Sequence, residues 1–67
     1  MEDWQKRVID EKEDLDKKIF KLNEFLDSDE FYEMEGPTVR LLWNQIEIME
    51  KYSDILAARI YYFNKGE

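Results

Sequence analysis

At 67 residues the chain makes one domain, of a size that is marginal without disulfides, a metal or self-association. Cysteine and histidine are both absent, which excludes disulfide frameworks, thiol redox chemistry and the usual zinc sites. With 17 acidic against 10 basic residues the net charge is −7, which argues against long nucleic acid, whose binding needs a basic patch to neutralise phosphates. A small anion is still admissible, because it needs only a few converging Lys or Arg side chains. No apolar run is long enough to span a bilayer, and the opening Met1-Glu2-Asp3 is acidic where a signal peptide would be basic. A soluble intracellular protein is expected, with no membrane partner.

The first helix is expected over about residues 3–26. Glu2 or Asp3 suits its start, where carboxylates meet unpaired amides and the positive end of the dipole. Its apolar residues Val8, Leu15, Ile19, Leu22 and Leu26 recur by threes, fours and sevens, as one face of a helix requires. Asp27-Ser28-Asp29-Glu30 then combines N-cap residue types with an acidic first turn, so a short helix is expected over about 30–35. Gly36-Pro37 ends it, and proline suits the first turn of the next helix. That helix is expected over about 37–64, roughly 40 Å at 1.5 Å per residue, closing on the cap-like Asn64-Lys65-Gly66. The fold class is therefore all-α, a single helical domain over 1–67 of two long helices joined by a short helix and a Gly-Pro break.

The second long helix carries apolar residues on two faces. One row is Leu42, Ile46, Met49, Leu56, Ile60 and Phe63; the other is Leu41, Ile48, Tyr52, Ile55 and Tyr62. The first helix can cover one row only. The other must meet a second copy of the chain, a different protein or a ligand, and assembly into a compact helical homo-oligomer is the expected outcome.

Catalysis finds no support in the residue pattern. Asp10, Glu11, Glu13, Asp14 and Asp16 interleave with Lys12, Lys17 and Lys18 at spacings that make ion pairs on a solvated helix face. No pair of carboxylates is marked as desolvated, no His completes a metal site in a bundle core, and no nucleophile-base pair or Gly-rich phosphate loop is present. No cofactor and no metal are expected. Three other residues carry chemistry. Trp4 either staples the start of the first helix to a neighbour or stacks on a planar ligand such as a nucleobase. Lys18 borders the stripe beside Leu15 and Ile19, where a snorkelling stem is common. Arg59, within the apolar AARIYYF, is expected to be partly desolvated by its neighbours and so to need an acid such as Asp54 or Glu50, or one of another subunit, or an anion.

The two long segments together resemble a known family. RVIDEK, LDKKI-x-KL-x-x-FL and Q-x-x-x-M-x-x-YS-x-IL-x-x-RI, in this order with a break between the second and third, resemble the small helical phage proteins of the anti-CBASS cyclic-oligonucleotide sponge family, over almost the whole stretch from Trp4 to Phe63. The resemblance implies a homohexamer of interlocked protomers in the cytoplasm of the infected bacterial host. It implies binding without cleavage: cyclic dinucleotides held between protomers by Trp4 and Lys18, and cyclic trinucleotides held separately by Arg59. The family's aromatic is usually tyrosine, so Trp4 keeps a stacking surface and drops a phenolic hydrogen bond. The alternative from a different class is a structural or adaptor protein whose second apolar row docks a partner helix.

Overall fold

The computed structural model describes residues 1–66, which form three helices in the order α1 (Asp3–Leu26), α2 (Asp29–Tyr32) and α3 (Pro37–Asn64). At the start of α1 the Glu2 backbone N–H donates to Gln5 Oε1 at 2.8 Å, and Asp3 adds a negative charge to the first turn. Ser28 caps α2: its Oγ accepts from the Phe31 backbone N–H at 3.3 Å and donates to the Phe25 carbonyl at 2.6 Å. The short helix starts earlier and ends sooner than the sequence predicts. Ser28 begins it at Asp29, Glu33 closes it, and Met34 turns inward against the core before the chain reaches Gly36. Gly36 has φ +82° and ψ −156°, a conformation that a Cβ disfavours, and from there Pro37 opens α3 at its first turn. Gly66, also at positive φ, donates to the Phe63 carbonyl and ends α3.

α1 and α3 pack antiparallel into a rod 48 × 15 × 14 Å. A rod this thin has no room for a broad core, and its buried residues fall into two small clusters. Val8 of α1 packs with Leu56 and Phe63 of α3 at one end, supported by Ile9, Leu15 and Ile60. At the other end Leu26 and Ile46 close on Phe31 of α2, with Ile19, Leu22, Phe25, Met34, Val39 and Leu42 around them. Phe31 is held between Phe25 and Trp43 in edge-on contacts of 6.0 and 5.9 Å, which anchors the connecting segment over that end.

Between the clusters the inward faces are polar. Ser53 is buried there, donating to Asp16 Oδ1 at 2.5 Å and accepting from Lys12 Nζ at 2.9 Å, while Lys12 also pairs with Asp16 at 2.8 Å. Lys12 and Asp16 are thus more than members of a solvated charge face. Their one-turn pairing is as the spacing predicts, but both also reach across to α3, because Lys12 stands in the inward row between Val8 and Leu15.

The second apolar row of α3 is left open. Leu41, Ile48, Tyr52, Ile55 and Tyr62 are all exposed, Leu41 and Ile48 by 64% and 67%. α1 covers the other row, as the two-faced pattern of the sequence requires, and none of the described residues covers this one.

Candidate functional site

The open row is not uniformly apolar, because Arg59 sits in it, one turn from both Ile55 and Tyr62. Toward the end of α3 this row borders the first turn of α1, and Trp4, Ile55, Ala58, Arg59, Tyr62 and Phe63 line an open groove of about 370 Å³. Each side contributes something distinct. Trp4, in the first turn of α1 and one turn before Val8 of the inward stripe, is brought there by that stripe, and its indole meets the Phe63 ring edge to face at 5.4 Å and 81°. Phe63 is buried, so the contact fixes the indole while 47% of Trp4 stays open to solvent. Ala58 lines the groove beside Arg59 without adding bulk. Arg59 makes no ion pair among the described residues: the pairs present are Lys12–Asp16 and Lys51–Glu47, and neither Asp54 nor Glu50 answers it.

Lys18 lies elsewhere. It is exposed on α1, 14 positions beyond Trp4 and so about 21 Å along the axis. Trp4, Glu11 and Lys18 are spaced by sevens and share one edge of α1, the edge beside the open row of α3. Glu11 stands between the other two and accepts a hydrogen bond from the Tyr52 hydroxyl. That bond to the Glu11 carboxylate, with slight burial, holds the Tyr52 phenol above its ordinary value, and the nearby charge of Arg59 acts in the opposite sense. Within one protomer the fold therefore joins Trp4 to Arg59 and keeps Lys18 apart from both.

The arrangement offers a stacking surface, apolar walls and a guanidinium that has no ion-pair partner among the described residues. The Asp16 carboxyl is held below its ordinary value by the Lys12 ammonium and the Ser53 hydroxyl and lies on the helix-helix seam. Among the described residues no group of three or more Asp or Glu side chains is placed to hold a metal, and no helix is long and apolar enough to cross a membrane. Ile55, Tyr62 and Phe63 were not legible as site residues from sequence, where they read as members of two rows, and Ala58 belonged to neither. The small pair Ala57-Ala58 next to an arginine was the available signal, since small residues leave space for a long cation and its ligand.

No curated protein and no solved structure shows a match to this chain. The model of the Sequestin family matches residues 2–62, which include both sides of the groove, Trp4 on α1 and Ile55 to Tyr62 on α3. With so nearly complete a match the chain belongs to the Sequestin family, whose name points to the sequestering of a ligand.

Proposed function

We propose that this protein is a phage anti-defence sponge that binds the cyclic di- and trinucleotide second messengers of bacterial CBASS immunity and sequesters them without cleavage in the host cytoplasm. The observation that carries the proposal is an open aromatic face and an unpaired guanidinium in one groove of a strongly acidic chain. A base stacks on an indole whatever its sequence identity, and a phosphate is met by arginine in a bidentate fork. Family membership and the similarity of RVIDEK and the YS-x-IL-x-x-RI run to the sponge proteins support the same ligand. Sequestration asks no chemistry of the protein, only affinity and abundance enough to hold the free messenger below the level that activates its effector.

A single protomer offers this ligand half a site. The groove is open on the side of the exposed α3 row, and Lys18 is too distant to reach a molecule seated on Trp4 of the same chain. A homohexamer in which the open row of one protomer meets its neighbours would both cover that row and carry Lys18 to the Trp4 groove of an adjacent subunit. In that arrangement Lys18→Ala leaves the assembly's mass and helix content unchanged and weakens cyclic dinucleotide binding by about 1.5 to 3 kcal/mol, the worth of a charge-assisted hydrogen bond. Titration calorimetry measures the loss, and unchanged affinity would return Lys18 to the role of a boundary cation.

The test of the function itself is a calorimetric panel of cyclic di- and trinucleotides, joined to mass spectrometry of ligand released by heating. Intact cyclic nucleotide is expected. Linear product would make the protein an enzyme. The exposed row of α3 also fits a partner helix, and absence of binding across the whole panel would favour that adaptor reading.

A further inference from the structure

Within one protomer Trp4 and Lys18 are roughly 21 Å apart along α1. The exposed row of α3 supplies a symmetry that brings them together. Leu41, Ile48, Ile55 and Tyr62 recur every seven residues, and Gln45, Tyr52 and Arg59 each follow four residues after one of the first three, all of them exposed. Spacings of four and three in alternation make a straight seam, the pattern by which two helices pack side by side. This seam reads alike from both ends: about Tyr52, Ile48 answers Ile55, Gln45 answers Arg59 and Leu41 answers Tyr62. We infer that α3 pairs antiparallel with α3 of a second copy about a two-fold axis at Tyr52, and that this pairing sets Lys18 of one copy beside Trp4 of the other.

A two-fold interface joins a surface to itself, so its residues must complement one another across the axis. Antiparallel pairing puts Ile48 on Ile55 of the second copy twice, carbon against carbon. Gln45 donates to Met49 Sδ at 3.8 Å, which leaves its carbonyl oxygen to accept from Arg59 of the second copy, and the guanidinium keeps further N–H donors for an anion. Parallel pairing would instead set Arg59 against Arg59, like charge on like. At the axis the Tyr52 hydroxyl donates to Glu11 of its own chain, so the two phenol rings meet through carbon and bury no unpaired hydroxyl. The two Glu11 carboxylates also approach one another there, a cost that the Tyr52 hydroxyls reduce. At each end of the seam Leu41 meets Tyr62 of the second copy, beside the open groove of Gly36, Pro37 and Arg40.

The α1 helices follow from the same axis. Glu11 is bonded to Tyr52 and so lies level with the axis, while Trp4 and Lys18 stand seven residues to either side of it on one edge of α1. In an antiparallel pair the same flank of each helix faces its counterpart, and that edge of α1 borders the seam. A two-fold axis at this level exchanges the two directions along the rod. Lys18 of one copy therefore comes to the level of Trp4 of the other, and each pair of copies has two places where an indole face and an ammonium converge. A base on the indole can there hold its phosphate against the ammonium.

The pairing of α3 needs no ligand, whereas the composite place rests on the cyclic-nucleotide reading above, and two experiments separate them. The chain has no cysteine, so introduced ones report alone. Chains carrying Ile48→Cys and chains carrying Ile55→Cys, one of them tagged, are unfolded, mixed, refolded and treated with a short bismaleimide. Links should join position 48 of one chain to 55 of the other, and Tyr52→Cys should link to itself. Like-with-like links at 48 and 55, or no link at all, would overturn the antiparallel axis. Trp4→Ala and Lys18→Ala chains, each of which should bind cyclic di-AMP or cyclic GMP-AMP about tenfold or more weakly, are then refolded together, with Trp4→Leu in reserve if the alanine variant does not fold. Random mixing should restore about a quarter of the pockets to the parent affinity, because a mixed pair has one intact place and one that lacks both residues. Calorimetry counts them. No recovery in the presence of the 48-to-55 link would overturn the composite place and leave the α3 pairing standing. Failure of the unsubstituted protein to bind any cyclic nucleotide would overturn the proposed function and the composite place together, and again leave the pairing.

Discussion

Ser53 shows how a single residue sets the register of two helices. Its position continues the inward row of α3 between Met49 and Leu56, so the period that marks the row as buried also buries a hydroxyl, and α1 answers it with Lys12 and Asp16 rather than with leucine. An apolar pair at this point would let α1 and α3 slide by a turn and still bury carbon against carbon. A hydrogen-bonded trio loses its partners if they slide. Ser53→Ala leaves the Lys12–Asp16 pair together and partly hydrated, their side chains being 27% and 47% exposed, so the expected cost is about 1 kcal/mol by urea denaturation. Asp16 adds a pH dependence. Because Lys12 and Ser53 hold its carboxyl below the ordinary value in the folded state, its contribution is present above about pH 4 and is lost as the pH falls through the lowered value. Asp16→Asn should thus be less stable than the parent at neutral pH by no more than about 1 kcal/mol, given the solvent exposure, and the gap should narrow as the pH is lowered below about 4. A gap that stays constant with pH would mean that the charge of Asp16 contributes nothing.

The helices themselves were legible because their signals are local. The i, i+3, i+4 rows, Pro37 at a first turn and Gly66 past a last one need no knowledge of tertiary structure, and the two long elements lie where those signals put them. The short helix was less so. Four residues offer no period to read, and its end is decided by Met34 packing inward and by the backbone that Gly36 must adopt, both of which are tertiary matters. Gly36 is the point at which the chain reverses. A Cβ built there meets nothing within 4 Å, so substitution is resisted by backbone conformation alone. Gly36→Ala should therefore cost about 1 to 3 kcal/mol, the range for a non-glycine residue in such a conformation, with the helix content of α1 and α3 retained. Urea melts followed by circular dichroism measure it. A cost near zero would mean that the turn relaxes to negative φ and that the angle between α2 and α3 is set elsewhere.

At the scale of the whole molecule, the groove and the uncovered row are one problem. Sequence reasoning could see that α3 has a face too many, because that is a count of rows, but it could not see that Trp4 and Arg59 meet, because they are far apart in the chain and only the antiparallel pairing of α1 with α3 makes them neighbours. A rod of 48 × 15 × 14 Å with Leu41, Ile48, Tyr52, Ile55 and Tyr62 along one side has a large apolar face in water and a small core to hold it together. Chains of this size rarely stand alone in that form. Ile48 isolates the question, since it belongs to the open row but lies about 10 Å along α3 from Ile55, outside the groove. If the protomer is the final state, Ile48→Glu is a surface substitution and should change stability by no more than about 0.5 kcal/mol. If copies pack through this row, the same change buries an unpaired carboxylate at several contacts at once, each costing on the order of several kcal/mol, and the assembly should fall apart. Light scattering at micromolar concentration should give the parent protein a mass several times the 8.3 kDa protomer, and give Ile48→Glu a lower mass or an unfolded chain. A loss of nucleotide binding together with assembly would place the missing half of the site on a neighbouring subunit, whereas a parent protein that is monodisperse at 8.3 kDa would remove both the hexamer and the route by which Lys18 reaches the groove.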